Sequence, residues 1–301
     1  MTFIGIDGVV HHVVVDGTGP LCVLSSGLGM CWFDWDPVAA LLSPHRTVVR
    51  FDRPGLGLSG HTRAWPTLAG EARRIAAVLD VLRLDGPATV VGHSLAGFHA
   101  EAFARLFPSR TAGLVLVDSS VEEDPRPRGA RAVRLAATRA CGTVASVTGL
   151  PRALGPLLRR AAVRAGRVGG GEPASYDLVR RAYSTSRWVH AALSENATYT
   201  DEAVELAALR GDFRLPAGLP VTVLAADDPR RSAHGREQWL ARQRALAATL
   251  GGTFRASAPA GHLLMLDRPE DVADAVLATP AHPPVASQET QPPVARERPG
   301  Q

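Results

Sequence analysis

A serine hydroxyl attacks a carbonyl carbon efficiently only when it is lifted clear of the backbone and a base stands ready for its proton. In Val90-Val91-Gly92-His93-Ser94-Leu95-Ala96-Gly97 a buried-type strand runs straight into a helical pattern, with Ser94 at the junction. Small residues on both sides permit a turn sharp enough to raise the hydroxyl above a sheet. The helix opening at Leu95 aims backbone N–H groups and a positive dipole end at the place where a tetrahedral intermediate gathers negative charge. The chemistry expected there is nucleophilic acyl transfer. A neutral imidazole, with its ordinary pKa of about 6.5, can take the serine proton and return it to a leaving group. Of the histidines near the serine, His93 adjoins it and His99 lies one turn into its helix, positions suited to packing or to lining a pocket.

The elements that must position Ser94 read as alternating strand and helix over the first 120 residues, the mark of βαβ units and a mostly parallel sheet. His12–Val15, Leu21–Leu24, Thr47–Phe51, Ala88–Val91 and Leu114–Val117 read as strands. Helices are predicted over Leu68–Leu82, from the stripe Ile75, Val78, Leu79 and Leu82, and over Leu95–Leu106, which Pro108 stops. From about Val121 to Pro216 the alternation fails in an Ala-, Leu- and Arg-rich stretch, and strand patterns return at Pro220–Ala225 and Thr253–Ala256. Helices are predicted from about Arg236 to Leu250 and over Pro269–Leu277. The expected fold class is α/β, a mostly parallel central sheet flanked by helices, with a core of residues 1–120 and 216–279 split by a helical cap at 121–215. The Pro-rich stretch 280–301 is expected to be a disordered tail.

These motifs resemble those of the α/β-hydrolase superfamily over roughly residues 10–120 and 216–279. The family's nucleophile elbow is G-x-S-x-G, and Ala96 stands here in place of the second glycine. The segment Leu24-Ser25-Ser26-Gly27-Leu28-Gly29 is similar to the family's oxyanion loop, with Ser26 in place of the usual histidine. The resemblance implies Leu28 and Leu95 N–H as oxyanion donors. Asp52-Arg53-Pro54-Gly55-Leu56-Gly57-Leu58-Ser59 resembles the turn after the following strand and bears on fold rather than chemistry. Ala260-Gly261-His262, ahead of a helix, resembles the family's Gly-His motif and makes His262 the general base. Most members would place the acid at Asp227 or Asp228; a minority arrangement places it at Asp118, at the end of Leu114–Val117. Asp118 is preferred because the loop from Asp228 to His262 is longer than expected. Gly27, His93 and Trp188 are candidate substrate contacts, and Leu150, Leu154, Leu157, Leu158 and Leu193 of the cap are candidate pocket linings, most of them expected instead to pack the cap.

With 46% hydrophobic residues and mean hydropathy of +0.02, the chain can bury one large core. No apolar run approaches the roughly 20 residues of a membrane span, and a cytoplasmic location is expected. The three cysteines fit neither a disulfide framework nor a metal site, and no metal or cofactor is expected. The net charge of +4 is carried by arginine alone, and Arg126–Arg187 holds thirteen arginines against Glu172 and Asp177. That island fits solvated helix surface, an acidic partner or an anionic substrate, and nucleic acid is not expected because no recognition motif accompanies it. The expected function is a serine hydrolase acting on a carboxylic ester or thioester of a small or medium apolar acyl group. Alternatives on the same residues are a non-catalytic ligand-binding homologue, an acyltransferase, a carbon–carbon bond hydrolase and a cofactor-free perhydrolase.

Overall fold

The computed structural model describes residues 1–280. Its strands are β1 (Thr2–Ile6), β2 (Val9–Asp16), β3 (Leu21–Ser25), β4 (Thr47–Phe51), β5 (Ala88–His93), β6 (Thr111–Val117), β7 (Val221–Ala226) and β8 (Thr253–Ser257). They form one sheet in the order β1-β2-β4-β3-β5-β6-β7-β8. β1 and β2 pair antiparallel with their neighbours, and every pair from β4/β3 to β7/β8 is parallel.

β5 and β6 are buried at every position, as central parallel strands covered on both faces must be. Their side chains alternate between two cores. Val90, Leu114 and Leu116 pack with Ile75 and Leu79 of α2 (Leu68–Val81) and Phe103 of α3 (Ala96–Leu106). Val91, Val115 and Val117 pack on the other side with Val38 and Leu42 of α1 (Asp36–Leu42).

Between β6 and β7 stand four helices: α4 (Arg131–Val147), α5 (Leu150–Gly166), α6 (Tyr176–Tyr183) and α7 (Ser186–Asp212). After β7 come α8 (Ala233–Thr249), α9 (Leu264–Asp267) and α10 (Pro269–Leu277). The fold class expected from sequence is the one observed. β1, α1 and α9 were not anticipated: β1 is a short edge strand interrupted by Gly5, and α9 spans a single turn, too little for a period to register. α8 begins three residues before the expected start because Ser232 accepts the N–H of Gly235 and caps it there. Apart from Pro280, the expected Pro-rich tail lies outside the described residues.

Candidate active site

Ser94 follows β5 directly and has a left-handed backbone, φ 52°, a conformation a non-glycine residue holds only when its surroundings enforce it. They do so through β6: Ser94 N–H donates to Val117 O (3.2 Å) and Ser94 O accepts Ser120 N–H (3.1 Å). A side chain at Gly92 would drive into the backbone of Ala96, and one at Gly97 into the Ser119 side chain. The tight approaches are therefore at Gly92 and Gly97, while Ala96, where the family pattern has glycine, is fully buried as the first residue of α3.

Asp118 follows β6 directly, also with positive φ (41°), and is fully buried. Its Oδ2 lies 2.7 Å from His262 Nδ1, while Oδ1 accepts Ala226 N–H (2.9 Å) and Trp239 Nε1–H (2.7 Å). His262 Nε2 lies 3.0 Å from Ser94 Oγ. An acceptor-only carboxylate at Nδ1 selects the tautomer whose proton sits on Nδ1, leaving the Nε2 lone pair for the serine hydroxyl. The His262 loop is itself braced: Gly261 N–H donates to Asp267 Oδ2 (2.9 Å) and Leu263 N–H to Gly166 O (2.9 Å). His93 lies beside it, its Nε2–H donating to His262 O (2.9 Å). Burial, and then the neighbouring His262, hold the His93 pKa well below the usual imidazole range, so this ring is neutral.

Neither alternative acid reaches His262. Asp227 pairs with Arg236 (3.0 Å) and Asp228 with Arg230 (2.7 Å), whose hydrogen bonds hold the Asp228 carboxyl below its ordinary range. The strand-end aspartates are thus divided, one aimed at the histidine and two engaged with arginines.

The Ser26–Gly29 turn approaches Ser94 from β3. Arg53 donates to Ser26 O and to Gly27 O (2.8 Å), and its Nε meets Glu195 Oε1 at 2.6 Å. The other oxygen of Glu195 accepts Gly29 N–H (2.8 Å), and Trp188 Nε1–H donates to Gly29 O (3.0 Å). Among the described residues neither Leu28 N–H nor Leu95 N–H has an acceptor. Arg53 and Glu195 were missed at the sequence level. Arg53 stood in a turn motif read as fold only, and Glu195 lies 142 residues away on α7, so only the fold brings them together.

The model of the alpha/beta hydrolase family matches residues 22–275. This chain belongs to that family. It is 37% identical over 108 residues to a protein of Mycobacterium bovis named only as uncharacterized, covering 35% of this chain and 30% of that one. It is 30% identical over 142 residues to a putative carbamate hydrolase, RutD, of Azorhizobium caulinodans, covering 47% of this chain and 53% of that one. These matches therefore span from about a third to about half of the curated relatives' length. A solved structure of a hydrolase from Pseudomonas aeruginosa superposes with TM-score 0.64 at 25% identity, over 92% of this chain and 97% of that chain.

In this α/β hydrolase, Ser94 and His262 border a cavity of about 200 Å³, lined also by Leu28, Met30, Val163 and Leu263. His93 reaches it; Gly27 and Trp188, the other candidate contacts, do not, since Gly27 is pressed against His93 and Trp188 is held on Gly29. The cap residues expected to line it mostly face elsewhere. Leu150, Leu154, Leu157 and Leu158 are exposed on the outside of α5, whose inner face supplies Arg159, Ala162, Val163 and Gly166. Leu193 is likewise outside the cavity lining. Arg159 borders the cavity but is engaged by Asp34, Glu172 (2.7 Å) and the Tyr183 hydroxyl (3.1 Å), leaving it no spare charge for an anionic substrate.

Proposed function

We propose that this α/β hydrolase cleaves a carboxylic ester or thioester of a small or medium apolar acyl group through an acyl-enzyme. The observation that carries the reading is the chain of contacts from buried Asp118 through His262 to Ser94, 2.7 and 3.0 Å. Ser94 Oγ attacks the carbonyl carbon and its proton passes to His262 Nε2. The imidazolium is stabilised by Asp118 across Nδ1–H, and the oxyanion is met by the N–H groups of Leu28 and Leu95. As the tetrahedral intermediate collapses, the bond from carbon to the leaving oxygen or sulfur breaks and His262 returns the proton to it. Water, deprotonated in turn by His262, then releases the acid and restores Ser94. Apolar walls at Leu28, Met30, Val163 and Leu263 favour an uncharged acyl chain.

Labelling the intact protein with a fluorophosphonate tests the reading. A single adduct, absent in Ser94→Ala and His262→Ala, is expected, followed by turnover of an ester panel that peaks at short to medium acyl lengths. A folded wild type that takes no adduct and turns over no ester defeats it.

A further inference from the structure

We propose that the outer face of the α4–α5 hairpin docks on an anionic lipid surface. The observation is a reversal of the usual helix pattern. On α5, Pro151, Gly155, Arg159 and Val163, at i, i+4, i+8 and i+12, are buried and form the inner face. The opposite stripe, where a helix facing water carries polar residues, holds Leu150, Leu154, Leu157 and Leu158 at i, i+4, i+7 and i+8. Leu157 and Leu158 are 57% and 56% exposed. Near the end of α4, which is joined to α5 through Thr148 and Gly149, Val144 and Val147 are also 59% and 78% exposed. Large apolar side chains left exposed along one stripe of a folded protein mark an interaction surface.

Charge decides the partner. The apolar stripe is flanked on α5 by exposed Arg160 and Arg164, with exposed Arg152 near the start of the helix and exposed Arg180 and Arg181 on α6. None of these five is ion-paired among the described residues, and Arg160 instead lies over the Tyr176 ring. Of the two carboxylates in the region, Glu172 is held by buried Arg159 and Asp177 is exposed on α6, so the five arginines remain in excess. A second copy of the chain would set arginine against arginine across the contact, which is repulsive. An apolar stripe edged by unpaired arginines matches the boundary between anionic headgroups and acyl chains. No helix of the described residues is long and apolar enough to cross a membrane, so the mode is lying on the surface. The inner face of the same helix walls the Ser94 cavity, and Gly166 O at its end holds Leu263 beside His262. Docking would thus leave only the thickness of α5, about 10 Å, between the cavity and the lipid boundary, whatever bond Ser94 cleaves.

The test is co-sedimentation of the full chain with vesicles of phosphatidylcholine alone and of phosphatidylcholine mixed with phosphatidylglycerol, at low and high salt. Binding is expected to the anionic vesicles only, and to weaken with salt. Arg160→Gln with Arg164→Gln should lower it by roughly tenfold or more, from about 1 kcal/mol per basic residue near the surface. Leu154→Ser, Leu157→Ser and Leu158→Ser together should lower it at least as much, with thermal unfolding and hydrolysis of a water-soluble ester unchanged. Failure of the wild type to bind anionic vesicles at low salt, or equal binding by the triple leucine variant, overturns the proposal. So does a dimer in sedimentation velocity that the leucine substitutions dissolve, which would make the face a self-interface.

Discussion

Two helices of the segment between β6 and β7 handle their side chains in opposite ways. α7 turns carboxylates inward: Glu195 is buried against Arg53 (2.6 Å) and Glu202 against His99 (2.7 Å). α5 turns leucines outward. α7 is thereby wired into the turn beside Ser94, while the outer half of α5 touches nothing that would account for its composition. Mean hydropathy does not tell these helices apart, being nearly equal in the two. Burial of a charged group is tolerable only when a partner repays its desolvation, and α7 meets such partners in Arg53 and the Gly29 N–H. The leucines of α5 find no such complement within the chain.

The largest effect expected of this contrast comes from Glu195→Gln. It leaves Arg53 a buried cation without its counterion, and losing one partner of a buried pair costs about 3–5 kcal/mol. The turn carrying Leu28 N–H then loses its anchor, and kcat should fall by roughly a hundredfold, as expected for misplacement of about 1 Å. Urea unfolding beside steady-state kinetics checks both; wild-type stability in this variant would mean that α7 is no more integrated than α5. Next comes Val163→Ala, on the buried face of α5, where Val163 is 1% exposed against the cavity. Loss of two buried methyl groups should cost roughly 1–3 kcal/mol. The same denaturant titration reads it.

The contrast also marks what was legible beforehand. The strands around Ser94 were readable because β5 and β6 each hold a short unbroken run of β-branched or aliphatic residues, Thr89–Val91 and Leu114–Val117, and the serine because strand, turn and helix coincide within eight residues, Val90–Gly97. The outer face of α5, expected either to line the pocket or to pack the cap, does neither, because a leucine stripe reports a helix and a face without saying which side looks inward. Asp118 could be preferred but not separated from Asp227 and Asp228, since all three end parallel strands. What separates them is lateral: Trp239 and Ala226 N–H orient Asp118, while Arg230 and Arg236 divert the others. The anchoring by Arg53 and Glu195 had no local signal at all.

His93 gives a smaller, pH-dependent test of the loop on which the end of α5 rests. Its folded pKa is depressed by burial, so the unfolded chain takes up a proton below about 6.5 that the folded chain refuses. Stability from this residue is full above that value and is lost as pH falls, by up to about 1.4 kcal/mol per pH unit until the folded pKa is reached. His93→Asn keeps a neutral donor near His262 O and removes the titration. The stability difference between wild type and variant should therefore shrink as pH falls from 7 to 5, read from urea midpoints; a constant difference would show that His93 does not titrate on unfolding.

The smallest effect distinguishes the two faces of α5 most sharply. Leu157→Ala removes a side chain that is 57% exposed and places the best helix former within a helix, so folding stability should change by no more than about 0.5 kcal/mol. Set beside Val163→Ala six positions along the same helix, the two substitutions remove similar apolar groups from similar backbone. Only their direction differs. Equal losses would mean that Leu157 is covered by part of the chain itself, leaving the outer stripe no surface to offer; a loss at Val163 alone leaves its leucines free to meet a partner.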